Sequence, residues 1–259
     1  MTPANTRPSL DGKVIVVIGG SSGMGRVTAE ALGRQGARVI VAARRVELCE
    51  AVAASIRTDG GQASAAALDV TDDNAVSGFF AALQREFGRL DGAFNNVGRT
   101  LGSSPTHETP LARFQQTLDV NLTAVFRCMQ HELRLMRAQP GGGAIVNNSS
   151  IGGTRGFAGL QDYCAAKWGL IGLSKAAALE NATLGIRINV IAPGLIATER
   201  FEQARLDYGA VIDARLAEVP MQRPGAMTDI AATVAWLLGP SCGYMTGAVV
   251  PIDGGECAA

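Results

Sequence analysis

Tyr163 and Lys167 are four residues apart in a stretch of helix-forming composition, and their spacing indicates acid–base chemistry. Residues four apart share one face of a helix. A phenol has an ordinary pKa of about 10, so it exchanges protons near neutral pH only if its anion is stabilised, and an ammonium group one turn away would do this. The alternative is a half-buried tyrosine beside a solvated lysine. The pair alone does not distinguish the two interpretations.

A glycine-rich segment at residues 19–25 indicates a second kind of chemistry, the binding of a dinucleotide. The segment follows a short apolar run and precedes a helical pattern. Glycines allow a tight turn and a close approach of the backbone, and the free amides at a helix start attract a pyrophosphate. The predicted binding residues of this turn are Gly19, Ser21, Ser22, Gly23, Met24 and Gly25.

Two arginines at the end of the second apolar run, Arg44 and Arg45, bear on the choice of dinucleotide. A site that prefers NAD places an acidic residue here to accept from the ribose hydroxyls, and this position carries none. Arginine can bind a 2′-phosphate through charge-assisted hydrogen bonds. The sequence therefore predicts NADP(H) as the preferred cofactor, with NAD(H) possible and Arg44 as the main ligand. Solvated surface charge at a helix start is the alternative.

The elements that must position these residues follow an alternating pattern. Buried parallel strands are continuous apolar runs, and helical segments between such runs indicate βαβ units. The pattern predicts an α/β fold: one doubly wound (Rossmann-type) parallel sheet of about seven strands with helices on both faces, in a single domain over residues 1–259. The predicted strands are 14–18, 37–42, 63–68, 92–95, 144–148, 187–192 and 248–252.

Two segments depart from this alternation. Residues 195–225 are rich in charge but carry apolar residues at helical spacings, and an insertion after a strand end lies where ligands bind. We expect it to form a substrate lid, with a purely structural helical excursion as the alternative. Residues 163–179 are apolar almost all round, so this helix is expected to be buried on more than one side and to contact a second subunit. A homo-oligomer, a tetramer or a dimer, is the prediction.

Composition excludes several classes of partner. The formal net charge is zero, which gives no indication of nucleic acid or of an anionic membrane. No apolar stretch approaches the roughly 20 residues of a membrane span, and residues 1–12 lack the layout of a signal peptide. The 5 cysteines lack metal-ligand spacing, so we expect free thiols and no metal. A cytoplasmic enzyme with a small-molecule substrate is the resulting expectation.

Together with further motifs, these residues resemble the short-chain dehydrogenase/reductase family, in its compact single-domain branch. The resemblance spans residues 13–255 and depends on several motifs in a fixed order. Besides the glycine turn and the Tyr163–Lys167 pair, they are Asp69-Val70-Thr71, Asn95-Asn96-Val97-Gly98, Asn121, Ser150, Pro193-Gly194 and Thr198.

The resemblance implies a catalytic role for four residues. Tyr163 would be the proton donor or acceptor, and Ser150 would hold the substrate carbonyl oxygen. Lys167 would bind the nicotinamide ribose and lower the pKa of the tyrosine, and Asn121 would support a water relay. Ser150 is preferred to its neighbour Ser149 because it lies thirteen residues before Tyr163, the spacing of the family.

The resemblance also implies contacts along the cofactor. Asp69 and Val70 would meet the adenine, Asn96 the adenosine side, and Ile196 and Thr198 the nicotinamide end. Two departures from the family pattern bear on cofactor binding. Ile18 replaces the usual threonine and removes a hydroxyl that braces the glycine turn, and Val97 replaces an alanine near the cofactor.

Arg99 and Arg155 follow motifs that end near the expected site and could anchor an anionic substrate, although arginines are abundant here and usually solvated. The function that these residues predict is an NADP(H)-dependent oxidoreductase that interconverts a secondary alcohol and a ketone. An isomerase or dehydratase with a transient hydride step, and a non-catalytic NAD(P)-binding protein, are the alternatives. The intact catalytic set argues against the last.

Overall fold

The structure is a computed structural model, and it describes residues 10–258. Its strands are β1 Val14–Ile18, β2 Arg38–Ala43, β3 Gln62–Ala67, β4 Gly92–Asn95, β5 Gly143–Asn148, β6 Ile186–Pro193 and β7 Val249–Ile252. Its α-helices are α1 Gly23–Arg34, α2 Val46–Thr58, α3 Asp73–Phe87, α4 Leu111–Leu118, α5 Ala124–Ala138, α6 Gln161–Asn181, α7 Glu199–Glu218 and α8 Met227–Leu238.

The strands form one parallel sheet in the order β3-β2-β1-β4-β5-β6-β7. Helices cover both faces of the sheet. Alternate side chains of β1 therefore lie in two separate hydrophobic cores, one on each face. Val16 packs in one core with side chains of α3, α5 and α6. Val17 packs in the other with side chains of α1, α2 and α8. The predicted fold class, a doubly wound sheet in a single domain, is confirmed.

Local signals explain where the elements begin. Strands β1 and β4 have the predicted bounds, and each of the remaining predicted strands differs by one residue at one or both ends. Helix α3 begins where the carboxylate of Asp72 accepts from the amides of Asn74 (2.8 Å) and Ala75 (3.1 Å), as an N-cap does.

The strand order reverses between β1 and β4, and this reversal determines where a ligand can bind. In a doubly wound sheet the loops that follow the two strands at such a point diverge to opposite faces and leave a crevice at their carboxyl ends. The glycine turn follows β1, and the Asn-Asn-Val-Gly segment follows β4. Both motifs therefore lie at one crevice.

Residues 195–225 leave the sheet after β6 and return to the same point. Ile196 pairs with Gly225, where the Ala197 amide donates to the Gly225 carbonyl (2.9 Å) and the Gly225 amide donates to the Leu195 carbonyl (2.9 Å). Between these ends lies α7, which is interrupted at Tyr208 by a non-helical backbone (φ −138°, ψ 41°). These two hydrogen bonds close the segment at its base, which is compatible with both a lid and a structural helical excursion.

No helix in residues 10–258 combines the length and apolar character needed to cross a membrane. The expectation that the amino terminus lacks a signal peptide concerns mainly residues 1–9, which lie outside the described residues.

Candidate active site

Lys167 lies in the interior, beside the tyrosine that the sequence pairs with it. Its side chain is 2% exposed, and its ammonium donates to the carbonyl of Asn148 (2.9 Å) and, at 3.5 Å, to that of Val97. The ammonium is 5.7 Å from the centroid of the Tyr163 ring. Burial lowers the pKa of Lys167 to about 7. The lysine is therefore neither solvated nor firmly charged, which excludes the simple surface interpretation.

Tyr163 lies beside the hydroxyl of Ser150. Burial raises the pKa of Tyr163 above its ordinary value, while the hydrogen bond with Ser150 and the charge of Arg200 act in the opposite direction. Burial is the largest of these effects on the pKa of Tyr163. That Lys167 lowers the pKa of the phenol stays a prediction. The hydroxyls of Ser150 and Tyr163 are neighbouring hydrogen-bond donors, and two such donors can bind one carbonyl oxygen.

The two adjacent serines have different surroundings. Ser150 follows β5, and its Oγ accepts from the amide of Gly152 (3.0 Å) while it also meets Tyr163. Ser149 is buried, and its hydroxyl donates to the main-chain carbonyl of Lys167 (3.0 Å), so it fixes α6 against the sheet. The structure thus places Ser150, rather than Ser149, at the tyrosine.

The side chain of Asn121 is fully used in hydrogen bonds to the main chain. It lies in a π-helical turn at Asp119–Thr123 and is fully buried. Its Oδ1 accepts from the Arg99 amide (3.0 Å), and its amide group donates to the carbonyls of Arg99 (3.0 Å) and Thr117 (2.9 Å). The side chain therefore holds the loop after β4 in place.

The glycine turn has the geometry of an anion cradle. Gly19 has φ +81° and Gly23 has φ +55°, which are left-handed conformations that side chains disfavour. A Cβ on Gly25 would lie 2.2 Å from the Gly19 carbonyl oxygen, so α1 can approach the turn only without a side chain there. Ser22 precedes α1 but makes no side-chain cap, which leaves the first amides of the helix open to a phosphate. This turn fits a dinucleotide pyrophosphate.

The departure at Ile18 does not leave the turn unsupported. Ile18 is a buried core residue. The amides of Gly19 (2.8 Å) and Gly20 (3.3 Å) donate to the Ala42 carbonyl, and the side-chain amide of Asn96 donates to the Gly19 carbonyl (3.1 Å). These bonds hold the turn in place without a hydroxyl at position 18.

Two adjoining cavities occupy the crevice. A cavity of about 240 Å³ is lined by Arg44, Arg45, Asp69, Val70 and Asn96, with Gly19, Ser21 and Ser22 at one side. A cavity of about 700 Å³ is lined by Ser150, Tyr163, Lys167, Ile196 and Thr198, and again by Gly19 and Ser22, with Gly23 and Met24. The smaller cavity is lined by the residues expected to bind the adenosine half of the dinucleotide. The larger cavity is lined by the residues expected at its nicotinamide end and around the substrate.

Of the predicted site residues, the two that line neither cavity are Gly25 and Asn121, which act on the backbone around the site. Asp69 is fixed in the adenosine half by Thr71. Its Oδ1 accepts from the amide (2.9 Å) and the hydroxyl (2.7 Å) of Thr71, and these bonds hold the pKa of Asp69 below its ordinary value, with Arg44 adding a smaller effect.

The sequence did not indicate every residue at this site. Arg200, in the first turn of α7, lines both cavities, as does Arg99. Arg155 does not line them; it contacts the carboxylate of Glu256 at 3.5 Å. Arg200 has no signal of its own in the sequence, because its place depends on where the excursion lies over the crevice.

A family model described as Enoyl-(Acyl carrier protein) reductase matches residues 18–256. Levodione reductase of Leifsonia aquatica is 38% identical over 95% of this chain and 95% of its own length. A crystal structure of levodione reductase superposes with a TM-score of 0.92, at 36% identity over 96% of this chain and 99% of that one.

Two further relatives cover nearly the whole chain. The 2,5-dichloro-2,5-cyclohexadiene-1,4-diol dehydrogenase of Sphingobium indicum is 36% identical over 96% of this chain and 98% of its own. The crystal structure of a variant of actinorhodin polyketide ketoreductase with NADPH has a TM-score of 0.89, at 31% identity over 95% of this chain and 97% of that one.

The fold and these relatives show an oxidoreductase that acts on alcohol or carbonyl groups, in a family that binds NAD(P). The chain belongs to the short-chain dehydrogenase/reductase family.

Proposed function

We propose that the protein interconverts a secondary alcohol and a ketone with NADP(H), and that Tyr163 is the acid–base group. The observation that carries this proposal is the pair of hydroxyls, Ser150 and Tyr163, at the large cavity with the buried ammonium of Lys167 one helical turn away. Two hydroxyl donors aimed at one point can polarise a carbonyl oxygen.

In reduction, the nicotinamide supplies a hydride to the carbonyl carbon when it is bound. Ser150 and Tyr163 hold the carbonyl oxygen, and Tyr163 gives its proton to that oxygen as the charge develops. Lys167 binds the ribose and stabilises the phenolate that remains. In oxidation, the phenolate takes the proton from the alcohol. Reduction therefore adds one hydride and one proton to the ketone, and oxidation removes one hydride and one proton from the alcohol.

Tyr163→Phe tests the acid–base assignment. We expect this change to lower kcat/KM by about 10²–10⁴-fold with little effect on dinucleotide affinity, because only the proton donor is removed. Activity is measured as the decrease in NADPH absorbance with each ketone of a panel. Near wild-type turnover by the variant would show that another group moves the proton. Turnover without net cofactor change would favour the isomerase or dehydratase alternative.

The preference for NADP(H) is supported by Arg44 and Arg45, which line the adenosine half. No ion pair within residues 10–258 involves either arginine. Arg44→Ala is expected to reduce the ratio of kcat/KM for NADPH to that for NADH by about tenfold or more. Arg38→Ala is the matched control, because Arg38 is the first residue of β2, at the end of the strand opposite to Arg44. An unchanged ratio would exclude Arg44 as the phosphate ligand.

The name of the diol dehydrogenase describes a secondary alcohol on a six-membered ring. This relative supports a substrate panel that begins with ring ketones and pairs each with an open-chain ketone of equal size. A higher kcat/KM for the ring member of each pair is the expected result, and the reverse order would exclude a ring as the preferred substrate.

We also propose that residues 195–225 form a lid, since Ile196, Thr198 and Arg200 of this segment line the larger cavity.

We propose further that the protein is a homo-oligomer. On α6, Trp168 is 53% and Leu179 is 82% exposed, although most of this helix is buried. Exposed large apolar side chains of this kind suit a contact with a second subunit. Analytical ultracentrifugation is expected to give a multiple of the chain mass, and a monomer at micromolar concentration would exclude the proposal.

A further inference from the structure

Two arginines outside the predicted 2′-phosphate site line the crevice. Arg99 comes from the loop after β4, and Arg200 comes from the first turn of α7. Each lines both the adenosine-side and the larger cavity. Residues that line both must lie where the two cavities meet, and a dinucleotide that spans them has its pyrophosphate in the middle.

The glycine turn marks the same place. Gly19 and Ser22 also line both cavities. The start of α7 lies against the start of α1: Arg26 of α1 is 3.7 Å from the carboxylate of Glu199, and a Cβ on Gly23 would meet that carboxylate at 3.5 Å. Arg200 is therefore carried on a helix start that adjoins the anion cradle.

Both arginines are held by their backbones and have charges left to offer. The main chain of Arg99 is fixed on both sides by Asn121, which bonds its amide and its carbonyl. The start of α7 is capped by Thr198, whose hydroxyl accepts from the Phe201 amide (3.2 Å). No ion pair within residues 10–258 includes Arg99 or Arg200, whereas Arg205 of the same helix pairs with Asp213.

We propose that Arg99 and Arg200 bind the cofactor pyrophosphate, which the glycine turn contacts from the side of α1. The inference rests on the proposed function only in requiring that a dinucleotide binds. Guanidinium groups form paired, charge-assisted bonds with phosphate oxygens. Arg44, which lines only the adenosine-side cavity, then determines which dinucleotide is preferred, while Arg99 and Arg200 bind the part that NADP(H) and NAD(H) share. Arg45 lines both cavities and lies between these two groups.

A consequence concerns the lid. Because Arg200 belongs to the first turn of α7, a bound pyrophosphate holds the start of this helix over the crevice. The cofactor then organises one wall of the substrate cavity before the substrate arrives. The alternative is that the same arginines bind an anionic group of the substrate. The experiment distinguishes this alternative from binding of the cofactor pyrophosphate.

The experiment is a binding titration of the full chain with NADPH, NADH and adenosine 2′-monophosphate, which carries the 2′-phosphate but no pyrophosphate. We expect Arg200→Ala to raise Kd about tenfold for both NADPH and NADH and to leave adenosine 2′-monophosphate unchanged. Arg99→Ala follows the same pattern, and Arg200→Lys lies between Arg200→Ala and wild type. Arg44→Ala is expected to weaken NADPH and adenosine 2′-monophosphate but not NADH.

Arg205→Ala is the matched control, because it removes an arginine from the same helix but away from both cavities. It is expected to bind all three ligands as wild type does. The proposal is overturned if Arg200→Ala binds NADPH and NADH with wild-type Kd. If the variant in addition has a raised KM for anionic ketones only, Arg200 binds the substrate instead. If the wild-type chain itself bound neither dinucleotide, the proposed function would fail first.

Discussion

Lys167→Met is expected to stabilise the fold while it removes activity. The buried ammonium has a pKa of about 7 instead of 10.5, a difference that corresponds to ~5 kcal/mol at about 1.4 kcal/mol per pH unit. Methionine fills a similar volume without charge. The change leaves the Asn148 carbonyl without the donor that lies 2.9 Å away, at a cost of ~1–3 kcal/mol. A net gain of ~2–4 kcal/mol follows where the amine is protonated.

The sign of the pH dependence follows from proton binding. The pKa of Lys167 is lower in the folded chain, so between about pH 7 and pH 10.5 the unfolded chain binds more protons. The contribution of Lys167 to the free energy of unfolding of the wild type therefore rises with pH across that window. The advantage of Lys167→Met is expected to be largest below pH 7 and to disappear towards pH 10.5.

The assay is urea unfolding at pH 6 and pH 9, monitored by tryptophan fluorescence. Lys175→Met is the control, because Lys175 is exposed on the same helix and is expected to change the free energy of unfolding by no more than about 0.5 kcal/mol. A Lys167→Met variant that is less stable than wild type at pH 6, or whose advantage grows with pH, would refute the reasoning.

Two further predictions concern buried carboxyl groups. Burial raises the pKa of Glu132 from 4.5 to about 8, so the folded chain binds this proton more tightly and wild-type stability falls as the pH rises through that window. Glu132→Gln is expected to be more stable than wild type by a few kcal/mol at pH 8 and equal at pH 5 in urea unfolding; equal stability at pH 8 would contradict this. Glu256→Gln is expected to lose ~1–3 kcal/mol and to expose α7 to limited proteolysis, because its carboxylate lies 3.0 Å from Arg215 and 3.5 Å from Arg155. Wild-type proteolysis of α7 would exclude this anchoring role.

The strands could be predicted because a parallel sheet covered on both faces requires continuous apolar runs. Strands β1 and β4, fully buried at the centre, have the predicted bounds, whereas β3 at the edge begins at the exposed Gln62 and differs by one residue. The glycine turn could be predicted because its backbone conformations limit which residue can occupy it.

Other features of the site could not be predicted, since they depend on contacts between distant parts of the chain. Glu256 meets Arg155 across 101 residues, and no local pattern indicates that pair. Arg200 lines the crevice only because the excursion closes at Ile196 and Gly225. The burial of Tyr163, which raises its pKa, likewise depends on the packing of α6 and not on the spacing to Lys167.

The paired ends of the 195–225 segment bear on how this chain could be redesigned. Because the backbone leaves and rejoins the body of the protein at one hydrogen-bonded pair, the intervening residues can be exchanged for those of another family member without changing the register of the sheet. Such a graft is expected to exchange one wall of the larger cavity together with Arg200, while the Ser150–Tyr163 hydroxyls and the glycine turn stay with the recipient. The shape of the larger cavity and part of the cofactor contacts would then change together, whereas the hydroxyls that hold the carbonyl oxygen would not.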